Sequence, residues 1–141
     1  MTEGVLFDVS YTIDATVDGS FDDVVAATED ALADEGFGVL CDVDVTATLA
    51  EKLDVEYRDY RILGACNPPL AHEALQTEPG LGALLPCNVI VYADGDGVAV
   101  RAVDAERLLG VVENEALDEV AAEVKSRLGR VVEAVRAEFE D

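Results

Sequence analysis

The chain has 141 residues, half of them hydrophobic, with 31 Asp and Glu against 9 Lys and Arg and a formal net charge of -22. That length and apolar share fit one domain with a real core, and they argue against disorder. The charge excludes a nucleic acid partner, whose phosphates it repels, and no apolar run approaches a bilayer span, so no membrane partner is expected either.

The first pattern is a strand. In Val5–Asp14, Val5, Phe7, Val9, Tyr11 and Ile13 alternate with Asp8, Ser10, Thr12 and Asp14. One apolar and one polar face predict an antiparallel sheet whose second side is wet or held by polar contacts. Ser20 then caps a helix with Asp22 and Asp23 in its first turn, where the helix dipole favours negative charge. Its stripe is Val24, Ala27, Thr28, Ala31 and Leu32, and Gly36 ends it. A second strand follows, with Phe37, Val39, Cys41 and Val43 expected on its apolar face and Cys41 as a small buried hydrophobe.

Asp44 caps a second helix with Val45, Leu49 and Leu53 on one side. Tyr57–Cys66 reads as a third strand, apolar on both alternating sets near its end. Asn67 caps a third helix that tolerates Pro68 and Pro69 in its first turn. Leu70, Ala71, Ala74 and Leu75 face inward there, and His72, Glu73 and Gln76 outward. Pro79-Gly80 breaks this helix. Cys87–Ala93 and Val98–Val103 form a hairpin through Asp94-Gly95-Asp96-Gly97, which lacks the remaining ligands of a calcium loop. Asp104–Leu109 is a helical turn. The last helix starts near Asn114 and carries Leu117, Val120, Ala121, Val124, Leu128, Val131, Val132, Val135 and Phe139 at helical spacing.

The order β-α-β-α-β-α-β-β-α over residues 1–141, without repeat or linker, predicts a single α+β domain. It has two layers: a mainly antiparallel sheet of about five strands packed against helices. The carboxylates are dispersed over every polar face, and lysine is confined to Lys52 and Lys125. This surface fits a salt-in halophile. Met1-Thr2-Glu3-Gly4 lacks the basic start of an export signal, so a cytoplasmic location is expected. Three cysteines without a CxxC pair make no disulfide framework.

Candidate chemistry gathers in two phrases, Cys66-Asn67-Pro68-Pro69 and Pro86-Cys87-Asn88, with the sole histidine, His72, between them. A pocket is expected where the third and fourth strands end beside the third helix. Arg61, Cys66, Asn67, His72, Cys87 and Asn88 are its candidate ligand-binding residues. Cys66 precedes a helix start, where a thiolate is stabilised. Cys66, Cys87 and His72 together offer ligand types that zinc, copper or haem iron accept, as an alternative redox or metal module. No spacing among them matches a known metal signature, so the cofactor stays unassigned. A Cys–His–Asn hydrolase, with Asn67 or Asn88 orienting His72, is a third reading. Asn beside proline already serves as cap and turn former, and an ion pair already explains Arg61. There is no phosphate-binding glycine loop, no G-x-S-x-G and no H-E-x-x-H.

Four stretches carry a family resemblance. They are Gly36-Phe37-Gly38-Val39-Leu40, Asp44–Leu53, Tyr60–His72 with its Gly64-Ala65-Cys66-Asn67-Pro68-Pro69 centre, and Leu84-Leu85-Pro86-Cys87-Asn88-Val89. In this order, over nearly the whole chain, they resemble the Domain of Unknown Function 302 family, and the acidic surface fits a haloarchaeal member. The resemblance implies a small α+β domain able to form a homodimer. It implies no reaction. An unpaired sheet edge is a second reason to expect a homodimer.

Overall fold

The computed structural model describes residues 10–140. Five strands form one antiparallel sheet: β1 (Thr12–Val17), β2 (Gly38–Asp44), β3 (Tyr60–Cys66), β4 (Cys87–Asp94) and β5 (Gly97–Val103), in the order β1-β5-β4-β3-β2. Helices α1 (Phe21–Asp34), α2 (Val45–Leu53), α3 (Pro68–Thr77), α4 (Ala105–Gly110) and α5 (Asp118–Glu138) complete the α+β fold. Short 3-10 turns at Pro79–Leu84 and Glu115–Leu117 join them.

Helices α1 and α5 pack on each other and against β1, β4 and β5. The core lies between them and the sheet. Leu32, Leu63, Leu128, Val89, Val91, Val100 and Val131 are fully buried there. The helical stripes predict this well. Every α1 stripe residue is buried, and so is every one on α5 except Phe139, which packs at its margin.

Local chemistry explains the helix ends. Asp23 N donates to Ser20 Oγ at 3.1 Å. Gly36, at φ 86°, lets the Gly36 and Phe37 amides turn back onto the Ala33 and Leu32 carbonyls, satisfying the last turn of α1. Asn114 caps the 3-10 turn, and α5 proper begins at Asp118.

The opposite sheet face is polar, as the alternation predicts. Arg101 Nε and Nη2 donate to Thr12 Oγ1 at 3.0 and 2.8 Å, and Nε meets Asp14 at 3.2 Å. Tyr60 and Tyr92 stack at 5.2 Å between ring centroids on this face. Tyr11 departs from its predicted side. It precedes β1, is 64% exposed, and lies under the Arg101 guanidinium. Val5, Phe7, Asp8 and Val9 lie outside the described residues.

The second departure is β2. Val39 pairs with Ala65 but Cys41 pairs with Gly64, so one extra residue is inserted between them. A bulge of one residue reverses the side of everything after it. Cys41 and Val43 therefore leave the apolar face where the alternation put them, and both are exposed. Asp42 takes the inner side opposite Leu63 and meets Arg61.

Helix α2 departs in a different way. Its apolar stripe is helical, but it buries no residue.

Candidate functional site

The site grows from the junction of β3 and α3. Asn67, 6% exposed, accepts from the Leu70 amide at 3.3 Å and so caps α3, with Pro68 and Pro69 in the first turn where missing amides cost nothing. Its Nδ2 donates to the Glu35 carbonyl at 3.4 Å. Arg127 Nη1 donates to the same carbonyl at 3.0 Å, and Arg130 pairs with the Glu35 carboxylate at 3.0 Å. Asn67 thus ties the start of α3 to the end of α1, where cations also suit the dipole.

This junction opens on a cavity of about 300 Å³. Its walls come from the end of β3, the start of β4, α3, the turn at Pro79–Leu84, Leu109 of α4, and Val120 and Val124 of α5. Leu40 and Leu75, both exposed, flank the mouth, while Leu81, Ala74 and Cys87 form buried wall. The half-exposure of the inner side of α3 follows: Leu70, Ala71 and Leu75 face the cavity rather than packed protein. Asn67 is the one amide in a lining that is otherwise hydrocarbon and thiol.

Cys66 and Cys87 both line this cavity. Cys87 stands opposite Ala65 on the inner sheet face. Burial first, and then the neighbouring Cys66, push the Cys87 thiol up to about 11. A thiol held protonated is a poor nucleophile and a poor metal ligand. Cys41 sits elsewhere, with its sulfur over Gly64 on the outer face. A Cβ on Gly64 would lie 2.5 Å from that sulfur and 2.8 Å from the Pro86 ring, so only glycine fits this crossing. The Leu85–Pro86 peptide beside it is cis.

The remaining sequence candidates do not join the cavity. His72 is exposed on the outer side of α3, away from the cavity lining, because it lies half a turn from the Ala74 face. Asn88 points to the outer sheet face opposite Gly64, since it alternates with buried Cys87 and Val89. Arg61 is committed to Asp42 through two parallel hydrogen bonds, one of them Nε to Oδ1 at 2.7 Å. That pair holds the Asp42 carboxyl below its usual range. Among the described residues no group of three or more His, Cys, Asp or Glu side chains is placed to hold a metal ion. His72 thus shares no cavity wall with Cys66 and Cys87, and it has no hydrogen-bond partner among the described residues for a Cys–His–Asn relay.

Sequence reasoning located Cys66, Asn67 and Cys87 and missed most of the wall. Leu81 and Leu85 had a local signal, an apolar run closed between Pro79-Gly80 and Pro86. Leu109, Val120 and Val124 had none, because their helical spacing reads equally well as ordinary core.

Among the described residues no helix is long and apolar enough to cross a membrane. No curated protein matches the chain. Among solved structures, the crystal structure of an uncharacterized conserved protein DUF302 from Bacillus stearothermophilus is similar. It has a TM-score of 0.85 and 29% identity, covering 91% of this chain and 100% of that one. The family model described as domain of unknown function DUF302 matches residues 13–135. With that match running from β1 through nearly all of α5, the chain belongs to the DUF302 family.

Proposed function

We propose that this chain is a small-ligand binding domain that takes an uncharged, largely apolar molecule into the cavity beside Cys66, Asn67 and Cys87. The observation that carries this reading is the cavity itself. Its volume of about 300 Å³ suits a small molecule. Its walls bring together residues from Phe37 to Val124, far apart in the chain, and hold almost no polar group that could specify a charged ligand. A packed core would not leave such space unfilled beside exposed Leu40 and Leu75. The dispersed acids extend the reading to a haloarchaeal-type protein of a salt-filled cytoplasm.

The test is titration with a neutral naphthalene dye and with n-octanol as competitor, in molar KCl. Saturable one-to-one binding is expected, displaced by octanol and lost in Ala74→Phe, which fills the cavity from α3. Absence of saturable binding in the wild type overturns the reading.

A second reading keeps the thiols, because Cys66 and Cys87 share one cavity wall. In it Cys66 is the working group, and Cys87, protonated, packs behind it. Cys66→Ser separates the two. Dye affinity that stays unchanged, with native Cys66 alkylating no faster than a free thiol, leaves Cys66 only a packing role.

A further inference from the structure

The sheet face opposite α1 and α5 carries another cavity, of about 320 Å³. Its floor follows from strand register. Tyr60 of β3 stands opposite Tyr92 of β4, and one row along, Ile90 of β4 stands opposite Arg101 of β5. The Tyr60 and Tyr92 rings stack with 5.2 Å between centroids and 8° between planes. Tyr57, just before β3, tilts against Tyr60 at 6.0 Å. Tyr11, just before β1, lines the cavity from that edge of the sheet. All four tyrosines of the chain therefore meet here, and none of them lines the cavity beside Cys66.

Charge at this place runs against the rest of the molecule. The chain has 31 acidic residues, yet among the described residues no carboxylate lines this cavity and two guanidinium groups do. Arg101 is already committed. It meets Asp14 and the Thr12 hydroxyl, donates to the Tyr92 hydroxyl at 3.5 Å, and lies over the Tyr11 ring. Arg58 is not. It is exposed and meets no carboxylate among the described residues. Its guanidinium lies 5.9 Å from the Tyr57 centroid and 5.7 Å from that of Tyr92, and its Nη1 donates to the Ala93 carbonyl at 3.2 Å. Ring faces hold a cation without neutralising it, so the other donors of Arg58 stay open to an anion. Glu56 and Asp59, its nearest acids in sequence, are exposed and lie outside the lining.

We propose that this cavity binds a small aromatic anion, a flat ring carrying a single carboxylate or phosphate group. Arg58 holds the anionic group, and the ring lies against the tyrosine faces. The net charge of the chain does not forbid such a ligand. In molar salt the Debye length is roughly 3 Å, so the distant acids are screened and the groups in contact decide. That medium is also rich in chloride, against which a bare anion has no advantage; the stacking surface supplies the selection. A neutral ring leaves Arg58 unused. A polyanion brings added charge towards Asp14, which already neutralises Arg101.

Isothermal titration calorimetry in molar KCl tests the proposal, with benzoate in one arm and phenyl phosphate in the other. Tyrosine emission reads the same titration, because the chain has no tryptophan and its tyrosines all stand at this cavity. Saturable one-to-one binding is expected for at least one of the two, and the tighter one identifies the anionic group. Benzamide keeps the ring without the charge, and cyclohexanecarboxylate keeps the charge without the aromatic face. Each is expected to bind at least about tenfold more weakly than the better anion, and Arg58→Ala to lose about tenfold, the scale of one charge-assisted hydrogen bond. Far-UV circular dichroism checks that this surface variant is folded. Tyr92→Leu, which removes the stacked pair, is expected to lose affinity as well. Naphthalene-dye binding beside Cys66 is expected to be unchanged in Arg58→Ala, so the two sites stand or fall separately. The proposal is overturned if neither anion saturates, if benzamide binds as tightly as the better anion, or if folded Arg58→Ala keeps the wild-type affinity.

Discussion

Cys87 is a residue whose chemistry is set by the fold. Its thiol rises from an ordinary 9.0 to about 11 because burial penalises the thiolate. The native state therefore holds the proton after the unfolded chain has released it. Stability from this group is fully present below pH 9, and it is lost as pH rises from about 9 to 11. Chemical denaturation across that window is expected to show falling stability in the wild type and a flatter profile in Cys87→Ala. Equal slopes in the two proteins would refute the assignment. Gly64 shows the same dependence on surroundings. Its lack of a side chain is required by Cys41 and Pro86, which reach it from distant positions in the chain.

Among the elements, α5 and α1 carry the core that joins helices to sheet. Leu128 is fully buried in the middle of α5, on the face that meets α1 and β1. Leu128→Ala is expected to cost about 2–5 kcal/mol, the range for deleting a core leucine and leaving a cavity. Urea denaturation in molar salt measures it, and a cost near zero would mean that the site collapses freely. Helix α2 is the opposite case. Both helices show helical spacing of apolar residues, but only α5 lies over the sheet. Periodicity states which residues share a face; it does not state that anything covers that face. Strand β2 adds a further lesson. Its alternation reads cleanly through Cys41, but the bulge after Val39 inverts it, and no local residue pattern announces the insertion.

At the scale of the whole molecule the governing quantity is the net charge of -22. The acids surround a core that is entirely conventional, so their repulsion acts on the folded shape without being part of its packing. The Debye length is roughly 3 Å in molar salt and about 10 Å near 0.1 M, so dilution restores that repulsion over the whole surface. The protein is expected to lose ellipticity when KCl falls from molar to millimolar and to recover it on readdition. Circular dichroism unchanged across that range would remove the halophilic reading.

The sequence by itself determined the element order, the caps at Ser20, Asp44 and Asn67, and the buried stripes of α1 and α5. These are local: a cap or a stripe depends on residues within a turn or two, and the hydrophobic effect acts on them wherever the chain runs. It also singled out Cys66, Asn67 and Cys87 as candidates, but the pairing of β3 with β4 that brings the two cysteines to one cavity came only from the fold. Only the tertiary structure decided that Asn88 faces away, that Asp42 takes up Arg61, and that Leu109, Val120 and Val124 close the cavity. Those outcomes rest on register, on a bulge and on the approach of segments far apart in the chain. None of these leaves a signature in the spacing of neighbouring residues.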